Sequence, residues 1–110
     1  MFIAMNNFQI AAGREPDFER AWRERQSYLE GVPGFVQFAL LKGSEQGEYA
    51  SHTTWESRDA FIAWTQSEAF VSAHRQGSLA GVVEGPPHLK MYEAIIIETP
   101  EGGVVQAATG

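Results

Sequence analysis

The stretch SRDAFIAWTQSEAFVSAHRQ, Ser57–Gln76, holds one tryptophan and one histidine among apolar residues at helical spacing. On a helix, Ala60 and Phe61 share a side with Trp64, and Phe70 and Val71 lie one turn before His74, because residues three and four apart share a face. Both large rings therefore point where the apolar side chains point. Ten residues at roughly 100° each would set Trp64 and His74 about 80° apart on one continuous helix. Ser67 followed by Glu68 has the form of a fresh N-cap and first-turn acid, so a break is expected near Gln66. Two short helices meeting there would present an indole and an imidazole to one apolar cleft. On spacing alone, the plainer reading is a core tryptophan and a satisfied histidine.

Working outward, Glu56-Ser57 closes a strand and caps this helical stretch. That strand, Glu48–Trp55, sets Tyr49, Ser51, Thr53 and Trp55 on one face. The polar turn Gly43-Ser44-Glu45-Gln46-Gly47 joins it to Phe35–Lys42 as an antiparallel hairpin. Before these, Glu15-Pro16-Asp17 starts a helix expected from Pro16 to about Glu30, with proline in the first turn and acids at the positive end of the dipole. Its stripe is Phe18, Ala21, Trp22 and Leu29, with Arg25 inside it, either snorkelling to solvent or facing an anion. Gly31-Val32-Pro33-Gly34 ends the helix.

Phe2–Ile10 is a first strand with Phe2, Ala4, Asn6, Phe8 and Ile10 on one face and Ile3, Met5, Asn7 and Gln9 on the other. Both faces are largely apolar, which implies burial from both sides. The adjacent asparagines point to opposite faces, so one amide enters apolar surroundings, at about 1–3 kcal/mol if it finds no partner. After His74, residues 75–87 contain three glycines and a diproline and read as a mobile binding loop. His88–Glu98 is the last strand, and residues 99–110 are expected to be a flexible tail.

The order β-α-β-β-α-β is an α+β, ferredoxin-like plan over residues 1–98. Its bare sheet face needs cover, and a second copy packing sheet to sheet would give a homodimeric α+β barrel. The chain has 110 residues, enough for one domain and one core. A formal charge of −6 with scattered Lys and Arg argues against nucleic acid or an anionic membrane as partner. The absence of cysteine excludes disulfides, thiolate metal sites and cysteine nucleophiles. With no long apolar run and no basic leader, the protein is expected to be soluble and cytoplasmic. There is no phosphate loop, no HExxH and no Ser-His-Asp arrangement. His52 and His88 lie on strands, which leaves His74 as a helical imidazole beside a loop, a position from which one side chain can ligate haem iron.

The early strand with Asn7, the PGF of Pro33–Phe35 and the run TTWESRDAFIAWTQSEAFVSAH of Thr53–His74 together resemble the antibiotic biosynthesis monooxygenase superfamily. Within it, the chain is similar to the haem-degrading monooxygenases of the iron-regulated surface determinant type. This resemblance implies that haem is both cofactor and substrate, with His74 as the proximal iron ligand, Asn7 donating to the iron-bound oxygen, and Trp64 pressing the macrocycle out of plane. It also brings Trp22 and Arg25 to the haem, the arginine pairing with a propionate or bordering the oxygen site. It implies O2 and an external electron donor, an unknown reductase, with ring opening and release of iron for iron acquisition. Two alternatives stay open: a cofactor-independent monooxygenase of an aromatic polyketide or quinol, and a non-enzymatic haem-binding dimer.

Overall fold

Alternation of burial along Phe2–Gln9 makes this segment a strand, β1, with Phe2 and Ala4 buried on one face and Ile3 and Met5 half-buried on the other. The computed structural model describes residues 1–25, 27–74, 81–102 and 104–105, the last two and residues 73–74 by backbone alone. β1 pairs antiparallel with β3, Glu48–Trp55, and with β4, His88–Glu93, while β2, Phe35–Lys42, completes the sheet in the order β2-β3-β1-β4. This is the ferredoxin-like α+β fold.

Strand register divides the sheet into two faces. Residues directly opposite across a ladder share a face, so Phe2, Ala4, Asn6 and Phe8 stand with Trp55, Thr53, Ser51 and Tyr49 of β3 and with Glu93, Met91 and Leu89 of β4. The helices pack on this face, where two aromatic clusters form. One gathers Phe2, Ala4, Leu29, Trp55, Phe61 and Trp64; the other gathers Ile10, Phe18, Tyr49 and Val82.

Helix α1, Glu15–Glu24, stops well short of the expected Glu30. Arg25 is already extended, at φ −67° and ψ 148°. The chain then folds inward: Leu29 is buried in the first cluster, and its N–H donates to Ser27 Oγ at 3.4 Å. Leu29 reaches the core only by leaving the helical path, so tertiary burial overrides the continuing stripe. Gly34 closes the turn at φ +78°, and a side chain there would overlap Ala60 Cβ, so proline-glycine at this point lets β2 and α2 approach.

The break near Gln66 is present. Helix α2, Arg58–Thr65, is capped by Ser57, whose Oγ accepts from Ala60 N at 3.1 Å, and α3, Glu68–His74, begins afresh after Ser67. Ser67 Oγ donates to Trp64 O at 2.6 Å and accepts from Phe70 N at 3.1 Å, joining the end of one helix to the start of the next.

Residues 75–80 of the expected binding loop lie outside the described residues. Its described end is docked: Val82 is buried, Val83 bridges to Ile10, and Glu84 N donates to Gln9 O at 2.7 Å. The last strand ends at Glu93 rather than Glu98. Ala94 N donates to Met1 O, and Ile97–Glu98 (β5) then pairs with Val104–Val105 (β6) as a separate ribbon. Part of the segment expected as tail is thus paired, while residues 103 and 106–110 lie outside the described residues. No helix among the described residues is long and apolar enough to cross a membrane.

Candidate functional site: a cleft at the helix-covered sheet face

Between the two aromatic clusters runs one row of the sheet, Leu40–Ser51–Asn6–Leu89, crossing all four strands. Toward β2 the row is roofed by Trp22, whose ring stacks on Phe38 at 5.5 Å between centroids and 19° between planes. Toward β4 the cover thins. Leu89 is 54% exposed and Met91 49% exposed although both stand on the helix-side face. An apolar floor open at one edge, with an amide and a hydroxyl at its centre, suits a flat apolar ligand with one polar focus.

The expected residues divide between the two faces. Trp64 is 7% exposed and packs against Trp55 at 6.1 Å and Phe70 at 5.7 Å, so its indole is a fixed wall. His74 is the last residue of α3, on the helix layer; its side chain lies outside the described residues. Trp22 is half-buried, with Nε1 shielded and without a partner among the described residues.

Arg25 holds its guanidinium 4.8 Å from the ring centroids of both Trp22 and Phe38, and no described carboxylate pairs with it. Burial lowers its pKa from the ordinary value. A half-desolvated cation over two rings gains from them but still favours an anion.

Asn7 is not in this cleft. Its amide donates to His88 O at 3.3 Å on the opposite face, beside Met5 and Gln9. Alternation along β1 leaves no other outcome, since a residue odd in register cannot share the face of Ala4 and Phe8. Asn6 stands on the helix-side face, half-buried, its amide without a partner among the described residues. The sequence carried half of this signal, since Asn6 is in phase with Phe2 and Ala4; that these two pack with Trp64 is seen only in the fold.

Farther along α1, Glu19 accepts a hydrogen bond from the buried Tyr49 hydroxyl and pairs with Arg23 at 3.2 Å and Lys42 at 3.6 Å. Tyr49 is pushed up to about 12, by burial first and then by its bond to Glu19; the same bond, together with the two cations, lowers Glu19. This group ties α1 to β2 and β3. On the other sheet face, Met5, Asn7, Leu41, Ala50, His88 and Lys90 line a broad concavity of about 660 Å3. It does not include Trp64 or Trp22, and Met5, Asn7, Leu41, Ala50, His88 and Lys90 belong to the face left bare by the helices.

The profile of the antibiotic biosynthesis monooxygenase family matches residues 1–76. A haem oxygenase (mycobilin-producing) of Mycobacterium tuberculosis is 34% identical over 97 residues, covering 86% of this chain and 89% of that protein. The structure of the haem-degrader MhuD from M. tuberculosis, with two haems bound in its active site, superposes with a TM-score of 0.74 at 29% identity, over 90% of this chain and all of that one. SnoaB, a cofactor-independent oxygenase from Streptomyces nogalater, shares the fold, with a TM-score of 0.63 at 20% identity over 84% of this chain and 91% of that one.

Proposed function

The chain belongs to the antibiotic biosynthesis monooxygenase family, and from that premise we propose that it is a haem-degrading oxygenase for which haem is both prosthetic group and substrate. The observation that carries this reading is the floor Leu40–Ser51–Asn6–Leu89, an apolar surface with a polar centre, set on the sheet face that the helices cover. Likeness to the haem-degrading relatives supports it.

The residues fit the group. Arg25 is a cation without a described carboxylate partner, and Leu89 and Met91 form an apolar edge; His74, the last residue of α3, is the residue that would ligate the iron. When bound, haem supplies the iron at which O2 is activated, with electrons from an external donor. The protein does the rest. His74 would hold the iron. Asn6, taking the place expected of Asn7, offers an amide N–H from the sheet side, where a donor aimed at developing charge has the largest effect on rate. Trp64, locked by Trp55 and Phe70, would present a rigid wall to the macrocycle, and distortion of the ring is one lever on haem chemistry. Arg25 pairs with a propionate and keeps that carboxylate at the rim.

The reading extends to a homodimer formed through the open sheet face, to a cytoplasmic location, to an unknown reductase as electron source, and to release of iron. Titration of the protein with hemin, followed by aerobic addition of ascorbate, tests it. A stoichiometric Soret band that decays to a linear tetrapyrrole is the expected result. No Soret band would leave a cofactor-independent oxygenase, and binding without decay would leave a haem-binding protein.

A further inference from the structure

Ser51 and Asn6 are direct cross-strand partners on β3 and β1. Their Cβ atoms are therefore about 5 Å apart on one face. Both residues are half-buried, and among the described residues neither side chain has a hydrogen-bond partner. Thr53, two residues along β3 on the same face, differs: its hydroxyl donates to Ala4 O at 3.3 Å and is thereby occupied. Leu40 and Leu89 flank the pair along the row, and the two aromatic clusters stand on either side. A hydroxyl and an amide each donate and accept, and left unmatched in such surroundings they carry a desolvation cost. Side by side, they can reach one small polar atom from two directions.

We infer that Ser51 and Asn6 form a single two-point hydrogen-bonding site on the cleft floor, and that Ser51 is the second residue orienting the small ligand that occupies the sheet side of haem iron. This rests on the haem reading above. An amide alone fixes one contact and leaves the ligand free to swing about it. A second contact from β3 selects one direction, so Ser51 bears on which edge of the macrocycle is attacked.

The test uses the haem complex of the full chain and compares wild type with Ser51→Ala, Ser51→Val, Ser51→Thr, Asn6→Ala and the double variant Asn6→Ala/Ser51→Ala. Valine suits a strand, so Ser51→Val keeps the readout if alanine loosens the fold. Three quantities are measured: haem affinity from the Soret band, azide affinity of the ferric complex, and the C–O stretching frequency of the ferrous carbonyl complex. Haem affinity should stay within about twofold for Ser51→Ala and Ser51→Val, while azide binding weakens about fivefold, the effect of one modest hydrogen bond. The C–O frequency should move in both, and Ser51→Thr should restore both signals. The double variant should lose less than the product of the two single losses, as partners on one ligand do. Azide affinity and C–O frequency unchanged in Ser51→Ala and Ser51→Val, with wild type binding haem, would overturn this inference and leave the haem reading standing. Wild type that forms no haem complex would overturn both.

Discussion

Asn7 on β1 donates its side-chain amide to the backbone carbonyl of His88 on β4 at 3.3 Å, and is thereby held to the face of the sheet that the helices do not cover. Asn6, the preceding residue, lies under them. Asn6→Ala should bind haem with little loss, since the apolar area buried at ~25 cal/mol per Å2 and the iron–imidazole bond remain. It should degrade haem about 100-fold more slowly, the usual loss for one donor at developing charge. Asn7→Ala should turn over at close to the wild-type rate. Aerobic single-turnover decay of the Soret band compares the two, and the reverse pattern would return the role to Asn7.

His74→Ala should fold as wild type by circular dichroism and lose the spectrum of a histidine-ligated ferric haem. An unchanged spectrum would remove His74 from the site and direct attention to His88 and His52.

Trp64 serves the core before it serves a ligand. Trp64→Ala should cost about 3–5 kcal/mol in denaturant unfolding, because the ring fills the space between Trp55 and Phe70. Trp64→Phe should keep most of that stability and retain binding while slowing turnover, giving activities in the order wild type, Phe, Ala. Equal rates in all three would mean that the indole plays no part in shaping the macrocycle.

The Tyr49–Glu19 bond gives stability a dependence on alkaline pH whose sign is fixed. Tyr49 titrates near 10 when unfolded and at about 12 in the fold, so its contribution is complete below pH 10 and is lost as pH rises through 12. Glu19 is lowered in the fold, so its contribution is present above its unfolded value and fades as acid protonates it. In Tyr49→Phe, thermal melting should decline less between pH 10 and 12 than in wild type; parallel curves would assign that decline to other groups.

On the open face, Leu41 is 40% exposed and Tyr92 48% exposed, on the outer strands β2 and β4. Leu41→Lys together with Tyr92→Glu should convert a dimer to monomers by sedimentation, with the monomer still folded. A wild type that sediments as a monomer at micromolar concentration would remove the sheet-to-sheet barrel.

The path of the fold was readable because local signals agreed: proline and acids at the start of α1, Ser57 before α2, a glycine-rich turn between β2 and β3. The misreadings lie where distant contacts decide. The stripe continuing to Leu29 looks helical, yet Leu29 is buried by leaving the helix. Ile95 and Ile96 look like strand, yet β1 ends at Phe2 and offers them no ladder. In the cleft, the face that each asparagine takes was legible from alternation, but which face lay beneath the helices required Phe2 and Ala4 to be seen packing with Trp64.

Ser67 accepts from α3 and donates to α2 through a single oxygen, so the indole-bearing and histidine-bearing helices are separate pieces that meet at one residue. Inserting or deleting a residue within a continuous helix rotates everything beyond it by about 100°; here such a change can be absorbed at the joint. Helix α3 is thus a replaceable part. A lineage could lengthen it, re-aim it or change the residue at its end while Trp64 and the core beneath it stay as they are, and one scaffold could pass between chemistries without first losing its fold.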